Sequence, residues 1–456
     1  MKGNKQGLTG RQVEYFALGG ALGSGIFLGV GQGIRIGGPA LILAYAVAGI
    51  VMYIVARCLG EMALNGNRSG SFVSYTKRYW GPRAGFVHGW GYWVCGTMVC
   101  MAELTAVGML VHSWMPSIPQ WIPALGGLLV LCGINSLRVR VFGEVEFGMA
   151  LIKILALSLF LIVGAYLLFA GPTASLPTAT VKNLWTQGGF FPTGLHGFLS
   201  VLPIAAFAFG GTELICLAAA ETVEPERTLP RAINGLLVRL LLFYVGTTFL
   251  IVTLVPWRDV PTDGSPIVAI FERMGVRAAG AIMSIVLITV LLSACNSLMF
   301  GMARVLRALA LERCAPAPFG KLNRYDTPGN AVIVSMLAIS AAIALNYYIP
   351  GEVFGLLMNS IAMAVVAVWA IFVAVHLRFR RSVKDIGALT YAAPLSPWGN
   401  LFVLVFLVAV TGILAMDATF RPAFIYVAGL FAGLFVFTLI RKPPPAVDTA
   451  GEPSTD

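Results

Sequence analysis

The chain is predicted to fold as an all-α integral membrane protein of about 12 transmembrane helices, two of them broken in mid-span. Three observations predict it. The 456 residues are 58% hydrophobic and only 11% charged, which repeats many times over the run of about 20 apolar residues that spans a bilayer. The stretch Ala17-Leu-Gly-Gly-Ala-Leu-Gly-Ser-Gly-Ile-Phe-Leu-Gly29 places five glycines in the middle of one such run. Each unpaired N–H or C=O in hydrocarbon costs several kcal/mol, so a broken helix survives there only where it lines a cavity. A second break, Phe207-Ala-Phe-Gly-Gly-Thr-Glu213, interrupts a later span. Breaks at corresponding places in two halves of a chain point to the substrate site of a transporter with inverted repeats.

The elements follow from the apolar runs and from the charges between them. After a basic tail, 1–11, the first span covers 12–35 and carries the first break; it lacks a small-residue cleavage pattern and has Glu14 at its start, so it is expected to be retained. Spans follow at 38–63, 85–112, 120–138 and 146–170, then at 194–220, which carries the second break, and at 231–256, 279–310, 330–348, 352–376, 397–415 and 422–440. The proline-rich tail, 441–456, is expected to be disordered. Of the 31 Lys and Arg, only Arg35, Lys182, Arg258, Arg273, Arg277 and Arg421 fall on the side away from the N-terminus, and Lys153 lies inside a span. The positive-inside rule then places both termini in the cytoplasm. It also explains the net charge of +11 without nucleic acid.

Other classes find little support. The seven cysteines lie in spans or on the N-terminal side, so no extracellular disulfide framework is implied. The four histidines lie near span ends, far apart, with no metal-ligand spacing. Ser24 has no histidine in its own segment to serve as a base. Gly23-Ser-Gly-Ile-Phe-Leu-Gly29 resembles a dinucleotide fingerprint, but its last gap is one residue too long and no strand precedes it. Gly25 and Gly29 also form GxxxG, a packing device that does not explain five clustered glycines.

Among the 20 carboxylates only Glu103 and Glu213 lie well inside the predicted spans, with Lys153 the one cation. Each costs about 2.5–3.5 kcal/mol at a helix centre and so is expected to face the interior with a task or a partner. Glu213 follows the second break, where the positive end of a helix dipole favours a carboxylate, and reads either as a functional group or as a helix cap. Glu103 reads either as a substrate or proton group or as a hydrogen-bond partner of a neighbouring helix. Lys153 lies two turns inside its span, where a functional ammonium competes with a stem that snorkels to the interface. At the first break, free N–H groups near Ser24 suit a carboxylate, and the carbonyls ending the half-helices suit an ammonium. The ligand implied is a small zwitterion, such as an α-amino acid, or a small anion with a coupling cation.

The sequence resembles the bacterial amino acid permeases of the amino acid-polyamine-organocation superfamily. The resemblance runs through the first glycine-rich stretch, Gly70-Ser-Phe-Val-Ser-Tyr75, Gly89-Trp-Gly-Tyr-Trp93, Ala102-Glu-Leu-Thr-Ala-Val-Gly108, Val141-Phe-Gly-Glu-Val-Glu-Phe147 with Ile152-Lys153, Gly211-Thr-Glu-Leu-Ile215 with Glu221, and Glu224-Pro with Leu229-Pro-Arg-Ala-Ile233. It implies a five-plus-five inverted repeat, 12–170 and 194–376, with helices 1 and 6 broken and two further helices in 397–440. It also implies that Ser24, Gly25 and Ile26 bind a substrate carboxylate, that carbonyls near Ala21, Leu22, Phe207 and Gly210 take the ammonium, and that the Phe207 ring closes over the ligand. Lys153 and Glu213 match positions linked to proton coupling, and Glu103 matches an acid shared by relatives of differing specificity. Ser293, Asn296 and Asn359 are expected to line the side-chain pocket. Departures at Gly91, Cys95, Cys100, Cys295 and Gly148 put smaller residues in the chain and are expected to widen that pocket.

The expected function is proton-coupled import of a neutral α-amino acid across a bacterial cytoplasmic membrane by alternating access. An amino acid exchanger is the alternative, and a membrane amino acid sensor a remote one. The expected partners are the amino acid, a proton and the lipid bilayer, with no cofactor, no metal and no enzymatic activity.

Overall fold

The computed structural model describes residues 10–65, 71–172, 176–219, 224–262, 264–273, 277–349, 351–418 and 420–444. Residues 1–9 and 445–456 of the expected tails, together with Gly70 and Glu221, lie outside them. The first half contains α1 (Gly10–Ala21), a π-helical turn (Gly25–Gly29), α2 (Val30–Gly37), α3 (Leu41–Asn65), α4 (Phe72–Trp80), α5 (Pro82–Trp114), α6 (Trp121–Ser136) and α7 (Val139–Ala170). The rest contains α8 (Gly194–Ala208), α9 (Leu214–Ala219), α10 (Pro225–Leu254), α11 (Pro266–Arg273), α12 (Arg277–Leu311), α13 (Gly329–Tyr348), α14 (Val353–Ser382), α15 (Trp398–Met416) and α16 (Arg421–Ile440).

Among the described residues, 9 helical stretches are long and apolar enough to cross a membrane, and α6 and α8 are shorter apolar helices. The apolar runs of the sequence became helices because a chain in hydrocarbon must pair its backbone within each segment. Side chains such as Ile162, Phe169, Val408 and Ile440 stay exposed on the outer surface. Lipid tails are as apolar as these residues and give them no reason to turn inward.

The two glycine-rich stretches break their helices. One helix stops at Ala21 and resumes as the π-turn at Gly25; the other stops at Ala208 and resumes at Leu214. Two short helices, α4 and α11, were not anticipated. Ser71 caps α4, accepting from the Val73 N–H at 3.3 Å, and the helix buries Phe72, Val73 and Tyr75.

The fifth predicted span begins too late. Its helix, α7, starts at Val139, because Phe142 already faces the core, stacked on Phe300 with ring centroids 4.1 Å apart. This draws Glu146 two turns into the helix, where it is buried. The sorting of carboxylates therefore missed one, and it also missed Glu61, buried in the last turns of α3.

Packing brings early and late helices together. The contacts of α5 with α12, α3 with α10 and α6 with α13 form the body, and α1 lies against α7, α10 and α12. The helices α15 and α16 pack on its rim, against α3, α8, α14 and α5.

Candidate functional site

The two breaks meet backbone to backbone at the centre of the bundle. A Cβ added at Gly25 would lie 3.0 Å from the Ala208 Cα, so a larger residue there must push the second break away. Gly211 has φ of +91° and faces the carbonyl oxygen of Gly20, which a Cβ would approach to 2.7 Å. Glycine is required at that position on both counts. Tyr244 of α10 joins the two broken ends. Its hydroxyl lies 2.9 Å from the Ala21 carbonyl oxygen and 2.6 Å from that of Ala208, as donor to carbonyls that end α1 and α8. The Tyr244 ring is buried between Tyr45 and Phe209, at centroid distances of 5.0 and 4.7 Å.

The ionisable residues at membrane depth converge on the same place. Lys153 is fully buried, and its ammonium donates to the carbonyls of Gly19 at 2.7 Å and Leu22 at 3.0 Å. It does not snorkel, because the carbonyls freed by the first break supply acceptors that hydrocarbon lacks. Glu146, two turns earlier on α7, accepts from Ser293 Oγ at 2.5 Å and Asn296 Nδ2 at 2.8 Å. Its carboxylate abuts Gly19, where an added Cβ would collide with it. Glu103 accepts from the Ser24 N–H at 3.1 and 3.2 Å and from Ser24 Oγ at 2.9 Å. Glu213 stands just before α9 and accepts from the Gly211 N–H at 3.3 Å, within the break.

A cavity opens beside the breaks. Gly20, Ala21, Gly23 and Gly25 form one wall, and Phe207, Ala208, Gly210, Gly211 and Glu213 form the facing one. Helix α5 contributes Tyr92, Cys95, Gly96, Val99 and Glu103; Leu298, Ile361 and Val365 complete the lining with apolar side chains.

Of the residues singled out in the sequence, Ala21, Gly25, Glu103, Phe207, Gly210 and Glu213 line this cavity. Ser24 joins it through Glu103, whereas Leu22 and its partner Lys153 lie outside the cavity lining, and Ile26 is buried in the π-turn. Ser293 and Asn296 instead hold Glu146, and Asn359 is half-buried on α14 outside the cavity lining. The expected widening also fails at most positions. Only Cys95 lines the cavity; a Cβ at Gly91 would meet Phe431, one at Gly148 would meet open space, and the Cys100 thiol faces the Cys295 carbonyl.

A model of the family described as amino acid permease matches residues 12–442. The chain belongs to the amino acid permease family. The permease is 41% identical over 413 residues to the aromatic amino acid transport protein AroP of Escherichia coli, covering 90% of each chain. The same identity and coverage hold for AroP of Shigella flexneri. It is 37% identical over 439 residues, 96% of each chain, to the uncharacterized transporter YdgF of Bacillus subtilis. With its apolar helices, the permease is a multi-pass membrane protein of a family of transporters.

Sequence reasoning missed Tyr244 and Glu146 in this permease. Tyr244 stands alone in an apolar run, and nothing local marks it. Glu146 is legible in retrospect, because seven residues place it on the face of α7 that carries Lys153.

A second polar assembly ties the basic end of the permease. Glu61, fully buried, accepts from Arg380 Nη2 at 2.8 Å and from the Ala393 N–H, and its carboxylate lies 2.5 Å from Arg380 Nε and 3.2 Å from His376 Nε2. Arg57 donates to the Ala392 carbonyl and covers the Tyr391 ring at 3.9 Å. Asn65 exchanges hydrogen bonds with Thr390, N–H to Oδ1 at 2.8 Å and Nδ2 to carbonyl at 2.7 Å. Burial pushes the Tyr391 phenol above its ordinary range, so it remains a donor to Asn234 Oδ1 at 2.8 Å. Residues 390–393 thus strap α14 and α15 to α3 and α10.

Proposed function

We propose that this permease imports a neutral α-amino acid, with aromatic side chains first among its substrates, by proton-coupled symport. The carrying observation is the pair of helix breaks that touch backbone to backbone and together line one cavity. Broken helices supply both halves of zwitterion recognition, N–H groups for the carboxylate and carbonyls for the ammonium. Ser24, Gly25 and Ile26 hold the carboxylate, Phe207 and Gly210 the ammonium, and the Phe207 ring covers the ligand. The carbonyls of Ala21 and Leu22 already accept from Tyr244 and Lys153, and that of Phe207 from the Gly210 N–H at 2.9 Å, so the ammonium takes the remaining lone pairs of these oxygens.

The aromatic preference draws on the names of the AroP relatives and on the apolar lining of the cavity, to which Gly96, Val99, Leu298, Ile361 and Val365 contribute. Residues 12–170 and 194–376 form a five-plus-five inverted repeat, and 397–440 adds two helices, giving twelve crossings. The pairwise packing of α3 on α10, α5 on α12 and α6 on α13 supports it, because each pair holds the same place in its half. Both termini face the cytoplasm, in line with the positive-inside rule. Coupling to protons draws on the buried ionisable groups Lys153, Glu213 and Glu103.

The test is uptake of L-phenylalanine, L-tyrosine and L-tryptophan into proteoliposomes under an imposed pH gradient. Concentrative uptake driven by that gradient is expected. Uptake driven equally by sodium alone sinks proton coupling, and trans-stimulation without net accumulation shows an exchanger.

A further inference from the structure

A carboxylate of the chain already occupies the donors assigned to the substrate. The backbone N–H of Ser24 reaches both oxygens of Glu103, at 3.1 and 3.2 Å, and the Ser24 hydroxyl reaches Oε1 at 2.9 Å. The fit is close: a Cβ at Gly23 would lie 2.5 Å from Glu103 Oε1. Glu103 is 2% exposed, yet it lines the same cavity as both breaks. Among the described residues no Lys, Arg or His nitrogen comes within 4.0 Å of its carboxylate. The bonds to Ser24 are therefore the direct anchor of this carboxylate in the protein interior.

The ionisable groups that face it from the surrounding helices are Lys153 of α7, Tyr244 of α10, Cys100 of its own helix and, across the cavity, Glu213. The ammonium of Lys153 is committed to Gly19 and Leu22, and on the reading above that of an arriving substrate goes to backbone carbonyls at the breaks. No cation is left to pair with a second carboxylate at Ser24.

We infer that Glu103 is the group whose protonation admits the substrate, because its carboxylate and that of the amino acid compete for the donors of Ser24. The inference rests on the amino acid reading above. Two ionised carboxylates sharing one set of donors repel strongly, and one of them is driven to bind a proton. A proton from the aqueous phase adds to a Glu103 oxygen and converts it to a neutral acid. Its hold on Ser24 falls from charge-assisted to neutral hydrogen bonding. The substrate carboxylate then takes the Ser24 N–H. When the substrate leaves, the proton dissociates and the Glu103 carboxylate returns to Ser24. No covalent bond to the substrate forms or breaks, and one proton accompanies each substrate.

The experiment measures L-phenylalanine binding to the purified full chain across pH, by calorimetry in buffers of differing ionisation enthalpy. The wild type is expected to take up one proton per ligand, with Kd rising about tenfold per pH unit once Glu103 is ionised. Glu103→Gln is expected to bind with a flat pH profile and no proton uptake, more tightly than wild type at alkaline pH. Persistent uptake of one proton by Glu103→Gln overturns the inference and assigns the proton to Lys153 or Glu213, leaving symport itself intact. If that variant does not fold, infrared difference spectra of the wild type decide: L-phenylalanine must raise a carboxylic-acid band, and its absence overturns the inference. Failure of the wild type to bind L-phenylalanine at any pH is a different result, which removes the substrate reading and this inference with it.

Discussion

The ammonium of Lys153 donates to the carbonyl oxygen of Leu22 at 3.0 Å, so a cation from the middle of α7 completes the end of a helix more than a hundred residues away in sequence. Its second bond, to Gly19 at 2.7 Å, means that one side chain satisfies two carbonyls released by the first break.

Replacing that ammonium is expected to cost stability as well as transport. Lys153→Ala leaves two buried carbonyls without their donor, at about 1–3 kcal/mol for each unsatisfied group. A lower melting temperature in detergent and loss of concentrative uptake are expected, and an unchanged melting temperature refutes the assignment.

Tyr244→Phe removes only the hydroxyl that joins Ala21 and Ala208, while the ring keeps its packing against Tyr45 and Phe209. Leaving a buried carbonyl without its donor costs about 1–3 kcal/mol. The variant is expected to fold and to bind substrate up to about tenfold more weakly. Titration of ligand by thermal shift reads this, and wild-type affinity counts against a role for the bridge in the site.

Glycine replacements at the two breaks are expected to differ. Gly25→Ala pushes against the Ala208 backbone at 3.0 Å, at a φ that any residue adopts, so binding falls while the fold persists; the bulkier Gly25→Leu abolishes binding and also lowers stability. Gly211→Ala adds a strained left-handed φ of +91° to a 2.7 Å approach to Gly20, with strain of about 1–3 kcal/mol. A Gly211→Ala variant as stable as Gly25→Ala contradicts this ranking.

The Glu61–Arg380 pair is expected to show strong coupling. Removing one partner of a buried pair costs about 3–5 kcal/mol, because it strands the other charge, while removing both costs much less. Arg380→Met is expected to melt well below Glu61→Gln/Arg380→Met. Additive effects in that double-mutant cycle would show that the strap at 390–393 does not depend on the pair.

The sequence by itself determined the membrane class, the order of the helices and the position of both breaks. Those features are local: an apolar run long enough to span and a glycine cluster inside it carry their own physical reason, whatever surrounds them. It also singled out Glu103, Lys153 and Glu213, because a costly charge stands out in the middle of an apolar run, whereas Glu61 and Glu146 sit near the ends of theirs and did not. Tertiary structure alone decided their partners. Whether Lys153 reached the interface or a carbonyl, whether Ser293 and Asn296 faced a pocket or Glu146, and whether Tyr244 mattered at all depended on how helices rotate against one another. That rotation is set by close packing between segments distant in the chain, such as Gly25 on Ala208 and Gly211 on Gly20, and no single segment encodes it.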